Sequence, residues 1–263
     1  MKYKHMKYDS LITKITNKDL LFTGDYTLDQ YQNCEFGCKY CDSASDVTIY
    51  IKTNAAQLLE EERGKIEKGT IIVGSVHDPY QEIEKKYELT RNLLKIIKQH
   101  NFSCHVLTKS NLVLRDIDIL SKIGKCLVTV SIPTLNEAAC SIFEENVPSA
   151  KERLLVVEKL SENRIKSGLA IMPILPFIVE EELERIVETA SKHRADYVVH
   201  KHLELKGDQK TIFLKVLEKF NPDLLDKYEK LYRDNYMPNQ EYCLKIKNTL
   251  EKLCVGYNLK NRI

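Results

Sequence analysis

Two rhythms of apolar and polar positions alternate along this chain. Apolar, β-branched runs at 70–75, 103–110, 126–134, 167–173 and 196–205 have the length and composition of strands buried on both faces. Between them, apolar residues spaced three and four apart predict amphipathic helices over 55–66, 84–100, 116–123, 149–160 and 180–193. In the second of these, Leu89, Leu93, Ile96 and Ile97 share one face, and Asn54 stands where the first needs an N-cap. Residues 47–52 read as a further strand of period two. With a short extended stretch at 26–32, the chain holds about six β-α units. Such alternation predicts an α/β fold with a parallel sheet, doubly wound or curled into a full or partial barrel, and six units fall short of a closed eightfold barrel.

Beyond Gly207 the pattern is helical only, interrupted at Pro222 and Pro238, with Leu214, Leu217, Phe220, Leu224 and Leu225 free to cover one side of the sheet. The opening residues read as a basic, irregular lead. The expected division is therefore a lead at 1–24, a barrel core at 25–206 and a helical extension at 207–263 packed on that core.

A length of 263 residues with 43% hydrophobic content supports a sizeable core and excludes a disordered chain. Forty Lys plus Arg against 38 Asp plus Glu leave +2, so no global field draws the protein to nucleic acid or anionic lipid. Lysines at 2–7 and at Lys85-Lys86 read as solvated surface. The longest apolar run, 168–178, contains Pro173 and Pro176 and is shorter than a span of ~20 residues. Residues 1–15 lack the apolar core of a secretory signal, so a cytoplasmic protein with no membrane partner is expected, as a monomer.

Eight cysteines in a reducing compartment point to metal or redox chemistry rather than disulfides. Cys104, Cys126, Cys140, Cys243 and Cys254 stand among apolar neighbours, where cysteine acts as a small core residue. The other three fall in Asn33-Cys34-Glu35-Phe36-Gly37-Cys38-Lys39-Tyr40-Cys41-Asp42, a window short enough for one loop to converge them, with Gly37 to bend it. Soft thiolates select zinc, copper(I) or iron–sulfur clusters. A closed structural zinc site needs four ligands, and no second short Cys or His pair follows; Cys243 and Cys254 do not supply one. A four-iron cluster on three thiolates leaves one iron open to a small chelating molecule.

The pattern Cys34-x-x-x-Cys38-x-Tyr40-Cys41, just after a first strand and ahead of repeating β-α units, resembles the radical S-adenosylmethionine (SAM) superfamily. The resemblance implies a partial parallel β/α barrel in which the three cysteines hold a [4Fe-4S] cluster. It also implies that SAM chelates the fourth iron and that the aromatic, here Tyr40, lies beside the adenine. A narrower set is similar to the spore photoproduct lyase-like group. It comprises Gly74-Ser75-Val76-His77-Asp78-Pro79-Tyr80-Gln81 with Glu84, Thr90 and Arg91, Leu107-Thr108-Lys109-Ser110, Leu114-Arg115-Asp116, and Ser131-Ile132-Pro133-Thr134-Leu135. Glu144 to Pro148 with Arg153, and Phe220-Asn221-Pro222-Asp223, extend the agreement over about 26–233.

In that reading Ser75, Asp78, Lys109 and Ser131 lie at the carboxyl ends of successive strands and face SAM, with Lys109 beside the methionine carboxylate. The plainer reading is that Ser75 and Asp78 cap the turn before Pro79 and that Lys109 is solvated. His77, His105, His200 and His202 fall in or near strands, where a structural role is commoner than an acid–base one. Glu144 and Arg153 read either as an ion pair or as surface charges. The resemblance implies reductive cleavage of SAM to a 5′-deoxyadenosyl radical, an electron donor such as a flavodoxin or ferredoxin, and a nucleic-acid lesion as substrate. Radical modification of a peptide or small molecule is the alternative, and a non-catalytic metal-bearing protein that binds nucleic acid is the rival class. Spore photoproduct lyases return hydrogen from a cysteine just after the second strand; Ser75 holds that position here, leaving Cys104, Cys140 and Tyr80 as other candidate donors.

Overall fold

The computed structural model describes residues 1–17, 21–42 and 47–263. Its strands are β1 (Lys2–Met6), β2 (Ile12–Lys14), β3 (Tyr26–Leu28), β4 (Tyr31–Gln32), β5 (Thr48–Lys52), β6 (Thr70–Val73), β7 (Ser103–Thr108), β8 (Cys126–Ser131), β9 (Lys166–Ile174) and β10 (Tyr197–His202). Its helices are α1 (Ala55–Glu62), α2 (Glu84–Tyr87), α3 (Leu89–Gln99), α4 (Ile117–Leu120), α5 (Glu137–Phe143), α6 (Ala150–Glu162), α7 (Leu183–Lys192), α8 (Gly207–Phe220), α9 (Leu225–Leu231) and α10 (Gln240–Gly256).

Six parallel strands in the order β3-β6-β7-β8-β9-β10 form the main sheet, as the alternation predicts, and β2 adds an antiparallel edge beside β3. The sheet curls. Phe22 and Ile72 from one end, with Leu107 of the adjacent β7, share an interior cluster with Ala170, Tyr197 and Val199 from the other. The concave wall also carries a polar chain: His105 bonds the Phe22 carbonyl at 2.9 Å and Thr129 Oγ1 at 2.7 Å, and Thr129 bonds Tyr197 at 2.7 Å. A carbonyl only accepts, so Nδ1 of His105 carries the proton and Nε2 accepts.

The convex side is covered by the apolar faces of the helices. Leu93, Leu94 and Ile97 of α3, Val156, Val157 and Leu160 of α6, and Ile186, Val187 and Ala190 of α7 are fully buried there. Each large aliphatic among them contributes roughly 1.5–3 kcal/mol by leaving water. α8 and α9 instead cover the cysteine loop: Phe213, Leu217, Tyr228 and Tyr232 pack in one cluster with Phe36, Cys38 and Tyr40.

Several expectations need correction. The lead is not irregular: β1 pairs in parallel with β5, and β2 pairs with β3. The Lys–Tyr alternation of residues 2–6 is itself of period two, but β1 is exposed along its whole length, so no apolar face announced it. β5 belongs to a separate three-stranded sheet, β1-β5-β4. Asn54 does not cap α1, because its amide is engaged with both backbone groups of Tyr8. The long helix expected at 84–100 is broken at Glu88, whose φ of 49° is left-handed. α5 was not foreseen. Among the described residues, no helix is long and apolar enough to cross a membrane.

Candidate active site at the cysteine loop

One cavity opens at the carboxyl ends of β6 to β9, enclosing about 720 Å³ of empty space when its open side is counted. Cys34, Cys38, Tyr40 and Cys41 line it from the cysteine loop, and Ser75, Asp78, Lys109 and Ser131 from the strand ends. Phe36, Leu107, Ala170 and Met172 make much of the remaining wall apolar. Eight residues foreseen from sequence thus meet around one volume.

The cysteine loop leaves β4 through Asn33 at φ 67° and turns at Gly37 at φ 58°, a conformation glycine adopts without steric cost. Its backbone is stitched to the segment that follows β6. Gln81, fully buried, donates to the Asn33 carbonyl at 3.2 Å and accepts from Glu35 N at 3.0 Å, so it holds both sides of Cys34. The Glu35 carboxylate accepts from Ile83 N at 2.7 Å and from the Tyr3 hydroxyl at 2.5 Å. All eight cysteines are free thiols. Burial pushes the Cys38 thiol up to about 12, and burial with the charge of Asp78 raises Cys34 as well. Such thiols hold their protons at neutral pH and release them to a bound metal.

Gly74 begins the segment after β6 at φ 83°, and a Cβ there would meet Pro79 at 2.4 Å and the Leu107 carbonyl at 2.7 Å. Asp78 is half-buried, and burial raises its carboxyl. It accepts from Tyr80 N at 2.9 Å, Thr108 Oγ1 at 2.7 Å and Lys109 N at 2.6 Å. Asp78 therefore fixes the backbone of Lys109 as well as capping its own turn. Lys109 is not simply solvated: Nζ donates to Ser131 Oγ at 3.0 Å and lies 5.7 Å from the centre of the Tyr40 ring. Ser131 in turn donates to the Met172 carbonyl at 3.0 Å. Ser75 donates to Asp29 Oδ2 at 2.6 Å, while Asp29 Oδ1 accepts from Val76 N and His77 N.

The other candidates lie elsewhere. Tyr80 is buried with its hydroxyl on Asp116, Cys104 is enclosed in the main core, and Cys140 donates to the Thr134 carbonyl; none lines this cavity. His77, His105, His200 and His202 are not among its lining residues either. Glu84, Arg91, Arg115 and Asp116 form a charged brace behind the loop, with Arg115–Glu84 at 2.7 Å and Arg91–Asp116 at 2.6 Å. The surface-charge reading of Glu144 and Arg153 is overturned: they pair at 2.6 Å with both side chains 1% exposed. Asp29 and Gln81 are the positions sequence reasoning missed. Gln81 sits within the quoted motif, but nothing local marks its amide as partner to a loop 46 residues away.

Residues 30–190 match the Radical SAM superfamily. An uncharacterized protein of Methanocaldococcus jannaschii is 30% identical over 237 residues, covering 86% of either chain. An uncharacterized protein of Mycobacterium bovis is 24% identical over 234 residues, covering 81% of this chain and 69% of its own. The chain belongs to the radical SAM superfamily. Its fold is that of spore photoproduct lyase. A cysteine-to-serine variant of that enzyme aligns with a TM-score of 0.73 at 17% identity, over 97% of this chain and 79% of that one. Spore photoproduct lyase complexed with dinucleoside spore photoproduct gives 0.71 at 16% identity with the same coverage. The radical SAM methyltransferase TsrM from Kitasatospora setae, with cobalamin and a [4Fe-4S] cluster bound, gives 0.52 at 14% identity, over 68% of this chain and 34% of that one.

Proposed function

We propose that the cavity binds SAM against a [4Fe-4S] cluster held by Cys34, Cys38 and Cys41, and that the enzyme abstracts hydrogen from a nucleic-acid lesion. The observation that carries the first part is the convergence of three soft thiols, the Tyr40 ring, the Lys109 ammonium and the Ser131 hydroxyl on one cavity. The donor set fits the group: three thiols lie on one glycine-bent loop, and charged and hydroxyl groups stand opposite for an amino acid. When bound, the reduced cluster supplies the electron that breaks a carbon–sulfur bond of SAM, leaving methionine and a 5′-deoxyadenosyl radical.

The chain's own residues bind, orient and shield. Lys109 offers its ammonium to the methionine carboxylate, and Ser131 and Ser75 offer hydroxyls to SAM's polar groups. Asp78 holds Lys109 in place through its backbone amide. The Tyr40 ring provides a flat face for adenine, and Phe36, Leu107 and Met172 keep water from the reacting carbon.

Support for a nucleic-acid substrate comes from likeness of fold to proteins solved with a dinucleoside lesion. Ser75, at the position where the family resemblance expects a hydrogen-returning cysteine, is hydrogen-bonded to Asp29 and has no thiol hydrogen to return to a product radical. The test is label transfer. Reduced, cluster-loaded protein is given SAM and thymine-lesion oligonucleotides deuterated at the reacting carbons, and deuterium is sought in 5′-deoxyadenosine. Label from the lesion is expected; label only from deuterated peptides or small molecules contradicts the substrate assignment.

A further inference from the structure

Glu144 and Arg153 take no part in the binding just described, and neither lines the cavity. Yet they form a charge pair with side chains only 1% exposed. Removing two charges from water is costly, and a buried pair seldom stabilises a fold more than an apolar pair of the same volume. What the pair holds is more telling than what it contributes to stability. Arg153 Nη2 donates to Glu144 Oε2 at 2.6 Å, and the other carboxylate oxygen accepts from the Tyr40 phenol. Arg153 Nη1 donates to the Ser131 carbonyl at 2.8 Å. Tyr40 and Ser131 both line the cavity, one from the cysteine loop and the other from the end of β8.

The local sequence places the pair for this task. Glu144 closes α5, and Ser149 with Glu152 forms a reciprocal capping box that starts α6. Arg153 is the next residue, buried beneath that first turn. The backbone of Tyr40 is held as well, its carbonyl accepting from Gln209 at 3.0 Å. With carbonyl and phenol both fixed, the ring has little freedom to tilt.

We propose that Glu144 and Arg153 are positioning residues that set the Tyr40 ring and the end of β8 at the spacing SAM requires. This rests on the reading that the cavity takes SAM. Both oxygens of Glu144 are needed as acceptors, one for the guanidinium and one for the phenol. Glutamine at 144 keeps a carbonyl oxygen for the guanidinium and can meet the phenol only by donating its NH₂ to the phenol oxygen, so charge-assisted bonds give way to weaker neutral ones. Lysine at 153 keeps the charge but loses the planar fork that reaches Glu144 and Ser131 together.

The test compares wild type with Tyr40→Phe, Glu144→Gln and their double variant, all loaded with cluster. Dissociation constants for SAM are measured by equilibrium dialysis, and electron paramagnetic resonance records the change when SAM meets the reduced protein. Each single variant is expected to weaken SAM binding about tenfold, the size of one charge-assisted hydrogen bond, with iron per chain unchanged. The double variant is expected to be no weaker than the worse single, because both act through one link. A triple variant, Tyr40→Phe with Glu144→Leu and Arg153→Met, strands no phenol and no charge and leaves only the Ser131 carbonyl without its donor; it is expected to fold yet to bind SAM as weakly as the singles. SAM affinity within about twofold of wild type in every folded variant, or losses that add in the double, overturns the proposal. Wild-type protein that fails to take up four irons or to bind SAM overturns the site reading, and the inference falls with it.

Discussion

Lys109 Nζ donates to Ser131 Oγ at 3.0 Å, joining the ends of two neighbouring strands at the cavity wall. The bond fixes a cation beside the Tyr40 ring before any ligand arrives, so little side-chain entropy remains to be lost on binding. Lys109→Met removes the charge while keeping most of the apolar stem. It is expected to weaken SAM binding by about tenfold or more while leaving cluster content intact, a loss of roughly 1.5–3 kcal/mol for one charge-assisted contact. Unchanged affinity in equilibrium dialysis would remove Lys109 from the site.

Gln81 supports the loop rather than the ligand. Truncation to Ala leaves the Asn33 carbonyl and the Glu35 amide without their partner at a fully buried position. A cost of about 1–3 kcal/mol follows for the stranded groups. The expected results are a lower melting temperature and faster loss of iron on gel filtration. Retention of iron equal to wild type would show that the loop holds its shape without this tether.

Acid should destabilise the fold through His105. Burial lowers its pKa from 6.5 to about 4, so between those values the unfolded chain binds a proton that the folded chain refuses. The stability is fully present above 6.5 and is lost as pH falls toward 4, to a limit of about 3 kcal/mol. His200, also lowered to about 4 by burial, acts in the same direction. Melting curves from pH 7.5 to 4.5 should therefore fall with acid, and His105→Gln should fall less steeply than wild type. Parallel pH profiles for the two would contradict this assignment.

The barrel was legible because mostly apolar strands and amphipathic helices differ in both length and period, and the cysteine spacing resembles that of the superfamily to which the chain belongs. The parts that stayed hidden were polar and long-range. Nothing in the run from Lys2 to Met6 distinguishes a solvated lead from an edge strand whose partner lies beyond the cysteine loop. Glu144 and Arg153 show the same limit: their separation of nine residues suits an exposed pair as well as a buried one. The packing of α6 against β8, and of α5 against α8 and the cysteine loop, removes them from water.

The proposed function rests on reductive cleavage of SAM at the cysteine loop. The most direct measurement is made without oxygen on reconstituted wild type and on Cys38→Ala, by counting iron and sulfide and then quantifying 5′-deoxyadenosine after reduction with SAM present. Wild type is expected to carry about four irons and four sulfides per chain and to form 5′-deoxyadenosine, and Cys38→Ala to do neither. Bound zinc, or a complete cluster that leaves SAM intact under several reductants, would contradict the proposed function.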